Sequence, residues 1–305
     1  MIFIAYRSAF EEVRNNNMKS WLMIFLFLAL VSCLGFFLGF IWDLPELGII
    51  IAFSFALLYS LVAFSAGDSI VISATKARPV TKQEFPHFYH AVEGLAIAAG
   101  IPAPKAYVIN DSALNAFATG RGPKKASIVV TTGLLEKMNR QELEGVIAHE
   151  MSHIKNNDIR TMMLAAVLVG VTILISDILL RTFLWGGMRN RNNRNSGGAV
   201  IALIAVGILF AILAPLVAQL IKLAISRKRE FMADASGALL TRYPPGLASA
   251  LAKIRADPDP LVDTANRATA HLFISTPFSN TKGFLVGLFS THPPIEERIK
   301  RLKEM

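Results

Sequence analysis

Cysteine is nearly absent: one residue, Cys33, in a chain of 305, and it lies inside an apolar run. That scarcity excludes a disulfide framework and a thiolate metal site, so a metal bound here must take histidine and carboxylate ligands. Acidic residues are also few, 22 against 31 basic ones, for a formal net charge of +9. A basic balance can serve nucleic acid, but no aromatic-basic RNA- or DNA-binding motif accompanies it, and the lysines and arginines sit mostly beside apolar segments. Anionic lipid is therefore the expected partner, and nucleic acid is not. No small-residue cleavage site follows the first apolar run, which reads as a retained signal anchor. An internal repeat is lacking as well.

Apolar residues are what the chain has in excess. They make up 53% of it, with a mean hydropathy of +0.47, more than an ordinary soluble domain carries. Four runs, 21–42, 47–67, 161–180 and 199–221, are long enough to cross a hydrocarbon core of ~30 Å as helices. Gly35 and Gly39 in the first have the spacing of close helix–helix packing. Arg7, Arg14 and Lys19 precede the first run, Asp43 and Glu46 occupy the turn after it, and Lys76, Arg78 and Lys82 follow the second. By the positive-inside rule the N-terminus and residues 74–160 face the cytoplasm.

The third and fourth runs enclose Arg189, Arg191 and Arg194, and they contain Asp177 and Pro215, so they read either as two full spans or as a hairpin entering partway. Both geometries return the chain to the cytoplasmic side at Lys222. The expected organisation is a two-helix transmembrane region at 1–73, a first soluble part at 74–160, the hairpin at 161–221 and a second soluble part at 222–305. In the first part, FPHFYHAVEGLAIAAGI has helical apolar spacing ended by Pro102 and Pro104, and KAYVIND and ASIVVTT read as strands. Asn139 with Glu142 three residues on predicts a capping box opening the helix NRQELEGVIAHEMSHI.

That helix carries the chemistry. His149 and His153 are four residues apart, hence on one face, and can hold one metal ion between them. Zinc suits two imidazoles and a carboxylate, with water in the remaining position of a catalytic site. Glu150, about 100° around the helix from His149, is turned toward such a water rather than the metal, the placement of a general base. In SRKREFMADASGA, residues 226–238, Glu230 and Asp234 again stand four apart. Glu230 is the candidate third ligand, and Asp234 the acceptor for the ring N–H of a liganding histidine. The alternative for these two acids is surface pairing with Arg227, Lys228 and Arg229.

AHEMSH, SRKREFMADASGA, NAFATG at 115–120 and THPPIEERI at 291–299 together resemble the M48 metallopeptidases, among them the HtpX-type membrane proteases of bacteria and archaea. The resemblance extends over nearly the whole chain. It implies an α+β, mainly α, membrane protein: four apolar helices and a zincin-like (gluzincin) catalytic domain with a small β-sheet, split by the membrane hairpin. It also implies one zinc per chain on His149, His153 and Glu230, Glu150 as base, and Asp234 behind a histidine ligand. NAFATG resembles the substrate-binding edge strand of gluzincins, in which Asn115 and Ala116 would offer backbone carbonyls to an extended peptide. His292 resembles a histidine that donates to the tetrahedral oxyanion. The implied activity is zinc endopeptidase cleavage of misfolded or damaged membrane proteins, in the cytoplasmic membrane of a prokaryote with the site facing the cytosol. A non-enzymatic scaffold with structural zinc would want a fourth protein ligand, and none is evident.

Overall fold

The structure, a computed structural model, describes residues 9–41, 43–189, 226–257, 269–274 and 293–305. The expected fourth apolar run at 199–221, together with Arg191, Arg194 and His292, lies outside the described residues.

The chain opens with two long apolar helices, α1 (Ala9–Ile41) and α2 (Pro45–Ala74). Asp43 takes a left-handed conformation between them, and Pro45, whose fixed φ suits a first helical turn, starts the second. A short strand β1 (Arg78–Pro79) leads to α3 (Pro86–Ala99). Gly100 closes α3 with φ 69°, so the helix ends just short of the prolines expected to stop it, at the residue best suited to a left-handed cap. Strands β2 (Lys105–Ile109), β3 (Ala116–Gly122) and β4 (Lys125–Thr131) follow, then α4 (Thr132–Lys137) and α5 (Arg140–Lys155). The capping box of α5 forms as expected: Glu142 N–H donates to Asn139 Oδ1 at 3.0 Å, and Asn139 N–H to Glu142 Oε2 at 2.8 Å.

Helix α6 (Asp158–Arg189) starts after a turn through Asn157 and runs past both ends of the 161–180 apolar stretch. Then come α7 (Arg227–Thr241), α8 (Pro244–Ala256), one 3-10 turn (Ala270–Leu272) and α9 (Ile295–Lys303). The described residues are thus mainly helical with one small mixed sheet, in the strand order β1-β2-β4-β3. Among the described residues only β2 and β4 pair in parallel, and β3 is an edge strand.

Alternation along the strands sends successive side chains to two different cores. Val108, Ile128, Val130, Ala116 and Ala118 pack with α3, α5, α8 and α9. Ile109, Val129 and Phe117, one position over in each case, pack instead with Met162, Met163 and Val167 of α6 and with Met23 and Phe27 of α1. The sheet therefore separates an ordinary soluble core from a core made by the apolar helices.

Among the described residues three helices are long and apolar enough to cross a membrane, within Arg14–Phe40, Pro45–Ala74 and Asp158–Ile178. On α1 and α2, Trp21, Phe25, Phe40, Ile50, Leu58 and Leu61 point away from the chain, a concentration of bare apolar surface that water would not support but lipid would. The contacts Ser20–Thr161, Gly67–Met163 and Tyr59–Val167 align the starts of α1 and α6 with the end of α2. Further along, a Cβ on Gly35 would lie 2.3 Å from Ala52 Cβ and 2.4 Å from Gly48 O, so α1 and α2 meet backbone to backbone there. Gly39, the other half of the spacing, is as tightly set against Leu44 O at 2.6 Å.

Isoleucine at Gly35 forces these helices apart. The expected loss for Gly35→Ile is about 1–3 kcal/mol, the usual range for overpacking, read as a lowered melting temperature of the detergent-solubilised protein. An unchanged melting temperature would show that the contact does not hold α1 to α2.

Candidate metal centre

Helix α5 is buried on nearly every side along its second half, with β3 and β4, α3, α7 and α8 packed around it. Its motif therefore faces protein, not bulk water: His149, Glu150 and His153 are all buried. Glu230 and Asp234 arrive on α7, which approaches so closely at Gly237 that a Cβ there would lie 3.0 Å from His149 N. A small residue one turn past Asp234 thus brings both acids against the histidines.

His149 Nε2 and His153 Nε2 are 3.2 Å apart. Glu230 lies across them, Oε1 3.5 Å from His153 Nε2 and Oε2 3.8 Å from His149 Nε2. One ligand atom from each of the three residues falls within 4.8 Å of the others, a group able to hold a metal ion. The opposite edges of both rings are engaged: His149 Nδ1 with Asp234 Oδ1 and His153 Nδ1 with Asp158 Oδ2, each at 2.9 Å. With each Nδ1–H donated to a carboxylate, each Nε2 keeps the coordinating lone pair. Two such nitrogens and a carboxylate converging in a buried space need a cation between them, and the donor set fits a metal ion.

The carboxylates behind the rings are themselves held. Arg298 of α9, fully buried, grips Asp234 through Nε at 2.8 Å and Nη2 at 2.7 Å, and its Nη1 donates to the Ile274 carbonyl at 3.2 Å. Asp158 accepts from Asn16 Nδ2 at 2.6 Å and Arg229 Nη1 at 3.1 Å. Burial opposes the charged forms throughout. For Asp234 the guanidinium of Arg298 and the bond from His149 outweigh burial and bring its pKa down to about 2. His149 is lowered to about 4, chiefly by burial, only partly offset by its bond to Asp234. Burial works against a charged His153 too, but its bond to Asp158 and the nearby Glu230 and Glu150 prevail and raise it to about 9. Glu150 is pushed up to about 7 by burial, although His153 favours its charge and the Ala118 backbone N–H bonds to it.

The structure thus brings together His149, His153, Glu230, Glu150 and Asp234, residues far apart in the chain. The two acids are buried and not on a solvated face, and Arg229, the member of the preceding basic run nearest them, turns to Asp158 and Asn16. The expectation for Asn115 needs correction. Its carbonyl accepts from Thr131 N at 3.0 Å and Thr131 Oγ1 at 3.1 Å, because strand pleating turns its main chain toward β4 and away from the open edge. Ala116 does face the edge, and there its carbonyl accepts the Ile274 N–H at 2.9 Å. Asp158, Arg298 and Asn16 were not foreseen as parts of the site. Asp158 was the most accessible of them, an acid five residues past His153; Arg298 sits within THPPIEERI with nothing local to mark it as buried, and Asn16 is one of three adjacent asparagines.

The chain is similar to known proteins over nearly its whole length. The model of peptidase family M48 matches residues 82–305. Over 300 residues the chain is 46% identical to the "Protease HtpX homolog" of Thermoanaerobacter pseudethanolicus, covering 98% of each protein. It is 46% identical over 296 residues to that of Dictyoglomus thermophilum, covering 97% of this chain and 94% of the relative. Among solved structures, S. mikatae Ste24p is similar over 92% of this chain, with a TM-score of 0.48 and 21% identity; the chain spans 61% of that longer protein.

In the metal-free protein His153 carries a proton at neutral pH, since its pKa of about 9 lies above it. A metal must displace that proton, so uptake near pH 7.5 should release about one proton per divalent ion, and affinity should weaken as pH falls below about 9. Calorimetric titration in two buffers of different ionisation enthalpy measures the release. Its absence would remove His153 from the ligand set.

Proposed function

The chain belongs to peptidase family M48 and is a metalloprotease, and on that premise we propose that it is a zinc endopeptidase of a bacterial cytoplasmic membrane, cutting misfolded or damaged membrane proteins from the cytosolic side. The observation that carries this reading is the convergence of His149, His153 and Glu230, with Glu150 buried next to them on the same helix. His149 Nε2, His153 Nε2 and a Glu230 oxygen would hold one zinc ion. When bound, zinc supplies a Lewis acid that polarises a peptide carbonyl and acidifies water.

Glu150 takes a proton from water on its carboxylate and returns it to the departing amine, so no covalent acyl-enzyme is required. A carboxyl shifted to about 7 is suited to both transfers near neutral pH. Asp234 and Asp158 hold the two imidazoles in the tautomer that leaves Nε2 for the metal. The substrate peptide lies along the outer edge of β3 past Ala116, whose carbonyl is taken by the Ile274 N–H, through main-chain bonds. The Ala118 N–H bonded to Glu150 supports this reading, because it puts that edge beside the general base. Main-chain recognition selects little by side chain, which suits damaged proteins as substrates. The sequence resemblance gives His292 the oxyanion role.

Membrane position supports the choice of substrates. Helix α6 begins three residues after α5 ends and carries the apolar run, so the site stands at the base of the membrane helices. Arg14, Lys19, Lys76, Arg78 and Lys82 flank the same ends of α1 and α2, which supports a cytosolic placement. The catalytic domain consists of 74–160 and 222–305, on either side of the segment 161–221.

Detergent-purified protein loaded with zinc should cleave casein. Glu150→Gln, prepared alongside, should retain its zinc and lose about 100-fold or more of that activity, the lower range for a missing general base. A variant that binds zinc and cuts at the wild-type rate would remove Glu150 from the mechanism. If both proteins bind zinc and neither cuts casein or a membrane-tethered reporter, the structural-zinc scaffold is favoured instead.

A further inference from the structure

Asn16 of α1 lies 142 residues before Asp158 in the chain, yet its side chain is fully buried against the carboxylate that supports His153. Its amide does two opposite things there. Nδ2 donates to Asp158 Oδ1 at 2.6 Å and to the Asn156 carbonyl at 3.1 Å, while Oδ1 accepts from Arg229 Nη1 at 3.0 Å. Arg229 in turn reaches the same Asp158 oxygen at 3.1 Å. The other oxygen, Oδ2, takes His153 Nδ1 at 2.9 Å. One side of the carboxylate is therefore fixed by an amide from the first apolar helix and a guanidinium from α7, and the other side aims the imidazole.

We propose that Asn16 is a positioning residue for the metal centre: through Asp158, the first membrane helix sets the orientation of the His153 ring and hence the affinity for the ion. The inference rests on the metal-site reading above. Only a neutral amide both donates to the anion and accepts from the cation in one plane; aspartate at this position accepts only, and an aliphatic side chain does neither. A group that orients a ligand from behind typically changes metal affinity 10–100-fold when removed. The consequence for the fold is that α1 belongs to the site as well as to the membrane: displacing its polar end along α6 withdraws a donor from Asp158.

A purely structural role would consist in fastening α1 to α6, and two neighbours do that without touching Asp158. Asn17 Oδ1 accepts from Arg160 Nη1 at 2.8 Å, and Ser20 Oγ lies 3.2 Å from Thr161 Oγ1. Zinc affinity of the full chain in detergent, measured by competition with a chromogenic chelator, separates the two roles. Asn16→Ala should bind zinc about 10-fold more weakly or worse, and Asn17→Ala should match the wild type. In an Asp158→Asn background, Asn16→Ala should cause no further loss. Should Asn16→Ala fail to fold, the nearly isosteric Asn16→Asp carries the test, with a second carboxylate now on Asp158 and the same direction of change expected. Wild-type affinity in the folded Asn16 variant, or an equal loss in Asn17→Ala, would overturn the inference while leaving the metal site intact. A wild-type chain that binds no zinc would overturn both.

Discussion

Two imidazole nitrogens 3.2 Å apart, both turned toward a glutamate, do not stay together unaided. As two bare acceptors they would repel; a proton on His153 or a metal ion between them reverses that, and burial strengthens the effect by removing water. Much of the surrounding fold can be understood as what holds them in place. Each ring has a carboxylate behind it, and each carboxylate has an arginine: Arg298 on Asp234, Arg229 on Asp158. The charges alternate outward from the centre, so that each carboxylate behind a ring has a guanidinium beside it.

That arrangement draws on most of the molecule. Asp234 and Glu230 come from α7, Arg298 from α9, Asp158 from the first turn of α6, and Asn16 from α1. Pairs this deeply buried add little net stability, because desolvation cancels most of their attraction, but removing one partner is costly. Their contribution is directional. They fix which ring nitrogen is left for the ion, while packing of the apolar residues supplies the stability.

The sheet explains how a soluble catalytic half and a membrane half share one structure. Its two faces belong to different cores, one with α3 and α5 and the other with α6 and the N-terminal helices. The edge strand β3 touches both α5 and α6, so the surface proposed to receive peptide lies at the junction of the halves.

The amino-acid sequence by itself determined that His149 and His153 share one face of α5, because i,i+4 spacing on a helix is a local geometric fact that no tertiary context alters. It likewise determined the three apolar helices among the described residues, the α5 capping box and, through spacing on α7, which acids could join the histidines. The helix end at Gly100 and the inward-turned carbonyl of Asn115 show where local reading fell short: a left-handed cap outranked the prolines, and pleat register depends on a partner strand. Only the tertiary structure decided what stands behind the ligands. Asp158, Arg298 and Asn16 look like surface polar residues in their own neighbourhoods, and they become part of the centre because folding buries them there, where each must find a partner of opposite character.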